Sequence, residues 1–160
     1  MTPVYLIRHA KAKNRLRWLE ADHLRPLTKA GFAQAQALTA AYEGQALSRL
    51  LSSPYVRCVQ TLEPLSEARG VPLELAEELA EGAPAGELLE LMLVLAQDGP
   101  AAFCTHADVM MDAVEELIAA GVRLDGPLEF KKAATWMFEV QDRRFASGRY
   151  LPPPVDDPLH

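Results

Sequence analysis

Hydrophobic and polar positions along the chain form short apolar runs separated by longer amphipathic stretches. The first run, Pro3 to Ile7, holds Val4, Tyr5 and Ile7 and predicts a strand. A polar, basic stretch from Lys11 to about Pro26 has no apolar period and reads as a loop. Thr28 stands where a helix N-cap belongs, and Ala30 to Tyr42, rich in Ala, Gln and Leu, predicts a helix stopped by Gly44. Ala46 to Leu51 is a second apolar run, closing at Ser52, Ser53 and Pro54. Tyr55 to Ala68 predicts a helix that Pro64 breaks or kinks and Gly70 ends.

Pro72 to Leu75 is a short strand candidate, and Glu77 to Gly86 is an acidic loop punctuated by Gly and Pro. Glu87 to Gln97 reads as a Leu-rich helix, followed by a turn at Asp98, Gly99 and Pro100. Ala101 to Thr105 is a third strand. Asp108 to Ala120 places Val109, Met110, Ala113, Val114, Leu117 and Ile118 at helical spacing and ends at Gly121. Ala134 to Val140 reads as the last strand, with a turn at Asp142 and Arg143. The expected organisation is one domain over residues 1–150 and an irregular, Pro-rich tail over 151–160. Strands alternating with helices imply an α/β layer fold with a mainly parallel sheet. In such sheets ligands bind at the carboxyl ends of the strands.

Composition narrows the function classes. A chain of 160 residues with 49% hydrophobic residues can bury a core without disulfides or metal. Its two cysteines, Cys58 and Cys104, form no CxxC pair and read as buried thiols. No apolar run approaches the roughly 18–20 residues of a membrane span, and the first residues lack a basic leader region, so a cytoplasmic protein with no membrane partner is expected. A net charge of −6 argues against a nucleic-acid partner. The charge is uneven, however. Arg8, Lys11, Lys13, Arg15, Arg17, Arg25 and Lys29 cluster against only Glu20 and Asp22. A basic pocket on an acidic body draws in small anions.

Three apolar runs lead into polar residues. The first runs into Arg8 and His9. The second runs into Ser52 and Ser53, with Arg57 a turn beyond. The third, Ala101 to Thr105, runs into His106. A parallel sheet brings these ends to one edge. Guanidinium groups bind phosphate with a planar fork. A neutral imidazole attacks phosphorus, and a second imidazole steadies the transferring oxygens. A carboxylic acid is then needed for the leaving oxygen.

The motif Arg8-His9-Ala10 resembles the opening of the histidine phosphatase superfamily, also called the phosphoglycerate mutase-like family. The resemblance continues through Arg25-Pro26-Leu27-Thr28-Lys29-Ala30-Gly31, then Ser52-Ser53-Pro54-Tyr55-Val56-Arg57-Cys58-Val59-Gln60-Thr61, then Thr105-His106-Ala107. These blocks keep the family's order and spacing over nearly the whole chain. They look most like the short SixA-like branch and the histidine phosphatase domain attached to some Nudix hydrolases. The resemblance implies a three-layer αβα sandwich with a doubly wound sheet, and no metal or organic cofactor. It implies His9 as the phosphorylated nucleophile, Arg8 and Arg57 as phosphate-binding arginines, and His106 as the second pocket histidine. Glu81, in Leu79-Ala80-Glu81, matches the family's proton donor, with Glu77, Glu78 and Glu87 as neighbouring competitors.

Two departures stand out. Position 10 is Ala where Gly is commoner, and extra cations follow His9. Lys11 is taken as a substrate contact, and Lys13, Arg15 and Arg17 offer themselves to a larger anion such as a nucleotide polyphosphate. The chain lacks the long insertions that shape mutase pockets, so a phosphatase is expected. Its substrate is a phosphohistidine protein, a nucleotide or a small phosphate ester. The alternative is a phosphate-ligand binding module of the same fold with little turnover. Cysteine phosphatase spacing fails at both cysteines, and no P-loop or metal-hydrolase spacing occurs.

Overall fold

A computed structural model of the chain describes residues 1–155. The first strand, β1, spans Thr2–Arg8. Helix α1 follows at Lys29–Ala41, and the Thr28 hydroxyl caps it by accepting from the Gly31 amide at 3.0 Å. Strand β2 covers Arg49–Ser52, helix α2 Val56–Arg69, and strand β3 Leu73–Leu75. Helix α3 runs over Ala85–Leu95, strand β4 over Ala101–Thr105, and helix α4 over Ala107–Ala119. Three further strands complete the sheet: β5 at Arg123–Asp125, β6 at Thr135–Gln141 and β7 at Arg144–Leu151.

The seven strands lie in the order β3-β2-β4-β1-β6-β7-β5. Every pairing is parallel except β1 with β6 and β6 with β7, so β6 alone runs against the rest. The sheet is thus mixed but mainly parallel, with the α/β sandwich layering expected from the sequence. Side-chain alternation along the strands builds the two cores. Tyr5, Ile7, Ala102 and Cys104 face one way and pack with Leu38 of α1 and Cys58, Leu62 and Leu65 of α2. Val4, Leu6, Ala101 and Phe103 face the other way, against Leu88 and Met92 of α3 and Val109, Ala113 and Val114 of α4.

Several expectations need correction. Thr135–Gln141 is not the last strand, because the chain turns at Asp142 and Arg143 and returns as β7. Both turn residues have positive φ, 52° and 61°, the hairpin conformation that matches strand twist. β7 reaches Leu151, one residue into the expected irregular tail. Pro152 to Val155 carry no helix or strand, and residues 156–160 lie outside the described residues. Pro64 does not break α2, which is one helix from Val56 to Arg69. The lost Pro64 amide removes one rung, and Leu62 and Leu65 on either side stay buried in the core. The second strand begins at Arg49 rather than Ala46. The expected loop before α1 contains a single 3-10 turn, Asp22–Leu24.

Register explains how the functional ends meet. Arg8 lies opposite Thr105, and Ser52 opposite Cys104. The ladder extends one residue further on each side, with the His9 amide donating to Thr105 O and the Ser53 amide to Cys104 O, both at 3.0 Å. His9, Ser53 and His106 therefore emerge together at the carboxyl edge of three adjacent parallel strands.

Candidate active site

The two histidine rings sit 5.4 Å apart, centroid to centroid, at a steep angle. His9 is buried, and its Nδ1 lies 2.7 Å from the Ala10 carbonyl oxygen. A carbonyl oxygen only accepts, so Nδ1 carries the proton and the lone pair sits on Nε2. Burial pushes the His9 pKa well below the usual imidazole value. The Ala10 carbonyl opposes that shift, and the charges of His106, Arg57 and Arg8 reinforce it.

His106 is also buried. Its Nε2 is 2.8 Å from Ser53 Oγ and 3.6 Å from Cys58 Sγ. Ser53 Oγ already accepts the Tyr55 amide at 3.2 Å, so its own hydrogen is available to His106 Nε2. That orientation leaves Nδ1–H of His106 as a donor. Nδ1 is buried and has no hydrogen-bond partner, and the same holds for Nε of Arg8 and Nε of Arg57. Arg8 is anchored by Nη1 donating to the Phe130 carbonyl at 2.7 Å. Its backbone is tied in by the Ala133 amide, which donates to the carbonyls of Arg8 and His9.

Arg57 is fully buried. Its guanidinium donates to the Asp22 carbonyl and to Asp22 Oδ2, each at 3.0 Å, and lies over the Tyr55 ring at 4.9 Å. Glu81 Oε1 is 3.5 Å from Arg57 Nη2 and accepts from Arg15 Nη2 at 2.8 Å. Asp22 also accepts from Arg25 Nε at 3.0 Å. Burial raises the Asp22 pKa, but the bonds and charges of Arg25 and Arg57 outweigh it, and the carboxyl is held below its usual range. Asp22 is the member of this cluster that the sequence concealed. Its only signal was its place, with Glu20, as one of two acids inside a basic stretch.

The structure thus brings Arg8, His9, Arg57 and His106 together and sets Glu81 against Arg57. Lys11 lines a cavity next to His9, with Lys13 and Arg15, whereas Arg17 does not line it. Lys11 is placed by the glycine of α1. A Cβ on Gly31 would sit 2.0 Å from Lys11 O, so only glycine lets the helix approach this backbone. Cys58 and Cys104 are both buried free thiols. Among the described residues no three His, Cys, Asp or Glu side chains group as metal ligands. No described helix is long and apolar enough to cross a membrane.

This architecture and edge cluster define a class. The chain belongs to the histidine phosphatase superfamily (branch 1), whose family model matches residues 4–92. Among characterised proteins it is 29% identical over 155 residues to the 8-oxo-(d)GTP phosphatase of Mycolicibacterium smegmatis. That match covers 94% of this chain but 48% of the relative, so the chain spans about half the relative's length. Among solved structures, a protein of Agrobacterium tumefaciens assigned as the phosphohistidine phosphatase SixA is 28% identical, with a TM-score of 0.72 over 95% of this chain and 98% of that one. The protein histidine phosphatase SixA, solved with tungstate, shares the fold at a TM-score of 0.74 and 23% identity, over 94% and 97% of the two chains.

Proposed function

We propose that this protein is a phosphatase that works through a phosphohistidine on His9, acting in the cytoplasm on a phosphorylated substrate. The observation that carries this reading is the set of buried donors without partners, Arg8 Nε, Arg57 Nε and His106 Nδ1, next to an imidazole whose Nδ1 is already committed. Buried polar groups ordinarily find partners. Three such nitrogens beside one nucleophile suit the oxygens of a phosphoryl group.

The chemistry follows from these positions. His9 is neutral at physiological pH, so its Nε2 lone pair attacks phosphorus as the leaving oxygen departs on the far side. Nδ1–H stays on the Ala10 carbonyl, which supports the positive charge that the ring gains. Arg8, Arg57 and His106 meet the charge on the transferring oxygens. Asp22 and Glu81 hold Arg57 in place. Glu81 stands closest to the role of proton handler, and its contacts are to the guanidinium groups of Arg15 and Arg57. Water then attacks the phosphohistidine and frees His9.

The relatives suggest two substrate classes, phosphohistidine proteins and nucleoside triphosphates. The direct test is phosphate release from a generic aryl phosphate by the wild type and His9→Ala. The expected loss is on the order of 10⁴-fold or more, as for removal of other enzyme nucleophiles. Saturable binding of phosphate without His9-dependent release would favour a binding module instead.

A further inference from the structure

The Ala10 carbonyl decides which nitrogen of His9 keeps its lone pair, so whatever holds that carbonyl also holds the nucleophile. His9 Nδ1 lies 2.7 Å from Ala10 O. The same planar peptide unit carries the Lys11 amide on its opposite side, and that amide donates to Gln34 Oε1 at 2.9 Å. The preceding peptide unit carries the Ala10 amide, which donates to Thr61 Oγ1 at 3.0 Å. One side chain thus fixes each of the two peptide planes that flank the Ala10 Cα. With both planes held, the carbonyl has no freedom to turn away from the imidazole.

Both side chains are buried with Ala10 itself. Thr61 stands in α2, and its hydroxyl donates to the Arg57 carbonyl at 2.7 Å, which leaves its oxygen to accept from Ala10. One hydroxyl therefore joins the turn after β1 to the helix that delivers Arg57. Gln34 stands in α1 three residues after Gly31, on the helix face that approaches the Lys11 backbone. A backbone amide only donates, so the Gln34 atom facing Lys11 is the oxygen, and Nε2 is left to donate to the Val155 carbonyl at 3.2 Å. The Thr28 amide and hydroxyl reach Lys11 O, which belongs to the next peptide unit. Donation from the Lys11 amide to Gln34 also strengthens Ala10 O as an acceptor, because hydrogen bonds in a chain polarise one another.

We propose that Thr61 and Gln34 are positioning residues for the nucleophile, holding the two peptide units around Ala10 so that the His9 hydrogen stays on Nδ1 and the lone pair on Nε2. The inference rests on the His9 reaction proposed above. Neither side chain lines the cavity beside His9. Removing either acceptor leaves an amide of this buried turn unpaired and lets the Ala10 carbonyl tilt. The ring then admits the tautomer with its hydrogen on Nε2, which has no lone pair there to offer phosphorus. A side chain that only filled space would not move that hydrogen from one ring nitrogen to the other.

The test combines nitrogen-15 NMR of the His9 ring at neutral pH with kinetics on p-nitrophenyl phosphate. It is run on the wild type, Thr61→Ser, Thr61→Val and Gln34→Met. Thr61→Val and Gln34→Met keep the side-chain volume and delete the acceptor. The wild type and Thr61→Ser are expected to hold His9 as the Nδ1–H tautomer. The two deletion variants are expected to shift it toward Nε2–H. Their kcat is expected to fall about tenfold with KM within about twofold, because the arginines that hold phosphate stay in place. A His9 ring that remains Nδ1–H in both deletion variants overturns the inference, as does a loss of kcat that Thr61→Ser shares in full. The NMR arm reads the resting protein and needs no turnover, so the two readings fail separately. Undiminished phosphate release by His9→Ala would remove the His9 reaction, whereas an unmoved tautomer removes only the role of Thr61 and Gln34.

Discussion

The two sides of the site are built differently. One side is the sheet edge: His9, Ser53 and His106 follow three parallel strands and are buried, with the His9 and Ser53 amides held by ladder hydrogen bonds and the His106 carbonyl by the Met110 amide of α4. The other side is the segment between β1 and α1, where Lys13 and Arg15 are exposed and a single 3-10 turn supplies Asp22. A rigid edge holds reacting atoms to the tolerances that chemistry needs, and a loop adapts to whatever the phosphate is attached to. The two meet at Arg57, which starts from the helix after β2 but is oriented by Asp22 of the loop.

Changes at the rigid edge and at its junction carry the largest expected effects. Arg57→Ala removes a phosphate ligand and one guanidinium partner of Asp22, which keeps its bond to Arg25. Activity is expected to fall by about 10²–10³-fold, and stability by about 1–2 kcal/mol, because Asp22 is only partly buried and keeps its bond to Arg25. Parallel kinetics and urea melts read both quantities. Wild-type activity in this variant would contradict the placement of Arg57 in the site.

Ser53→Ala touches no substrate and tests positioning. Without Oγ, His106 loses the hydrogen that keeps Nδ1 protonated. We expect a roughly tenfold loss in kcat with KM little changed, restored in part by Ser53→Thr. Nitrogen-15 NMR of the His106 ring is expected to show a shift toward the other tautomer. An unchanged tautomer would show that Ser53 only packs.

The burial of His9 gives a smaller, pH-dependent signature. The folded state holds its pKa well below 6.5, so between that depressed value and about 6.5 the unfolded chain binds more protons than the folded one. Stability therefore decreases as pH falls through this window, by at most about 1.4 kcal/mol per pH unit. His9→Gln is expected to flatten this slope in melts between pH 7 and pH 5. An unaltered slope would place the titrating group elsewhere. At the far end, Arg17 lies on the loop outside the cavity lining, and Arg17→Ala is expected to leave kcat/KM within about twofold.

The same division explains what could be read from the sequence. Strands β1 and β4 and the helices between them were visible because apolar runs and helical spacing record burial directly. The convergence of His9, Arg57 and His106 followed from strand ends in a parallel sheet. β5 and β7 were hidden. Arg123–Asp125 is short and charged, and Arg144–Leu151 alternates weakly around Gly148. That glycine is required by packing, since a Cβ there would fall 2.6 Å from Phe138 and 2.8 Å from Leu124. Asp22 escaped notice because its role depends on a loop folding back onto α2, which no local pattern encodes. Ser53 was visible as part of a motif, but its bond to His106 is a tertiary fact.

The central claim is that phosphate passes through His9. The most direct measurement is intact-protein mass after brief mixing with a phosphate donor and quenching without acid. The account predicts a transient gain of one phosphoryl group that is acid-labile, maps to His9 and is absent in His9→Ala. Phosphate release that continues undiminished in His9→Ala, with no adduct in the wild type, would contradict it.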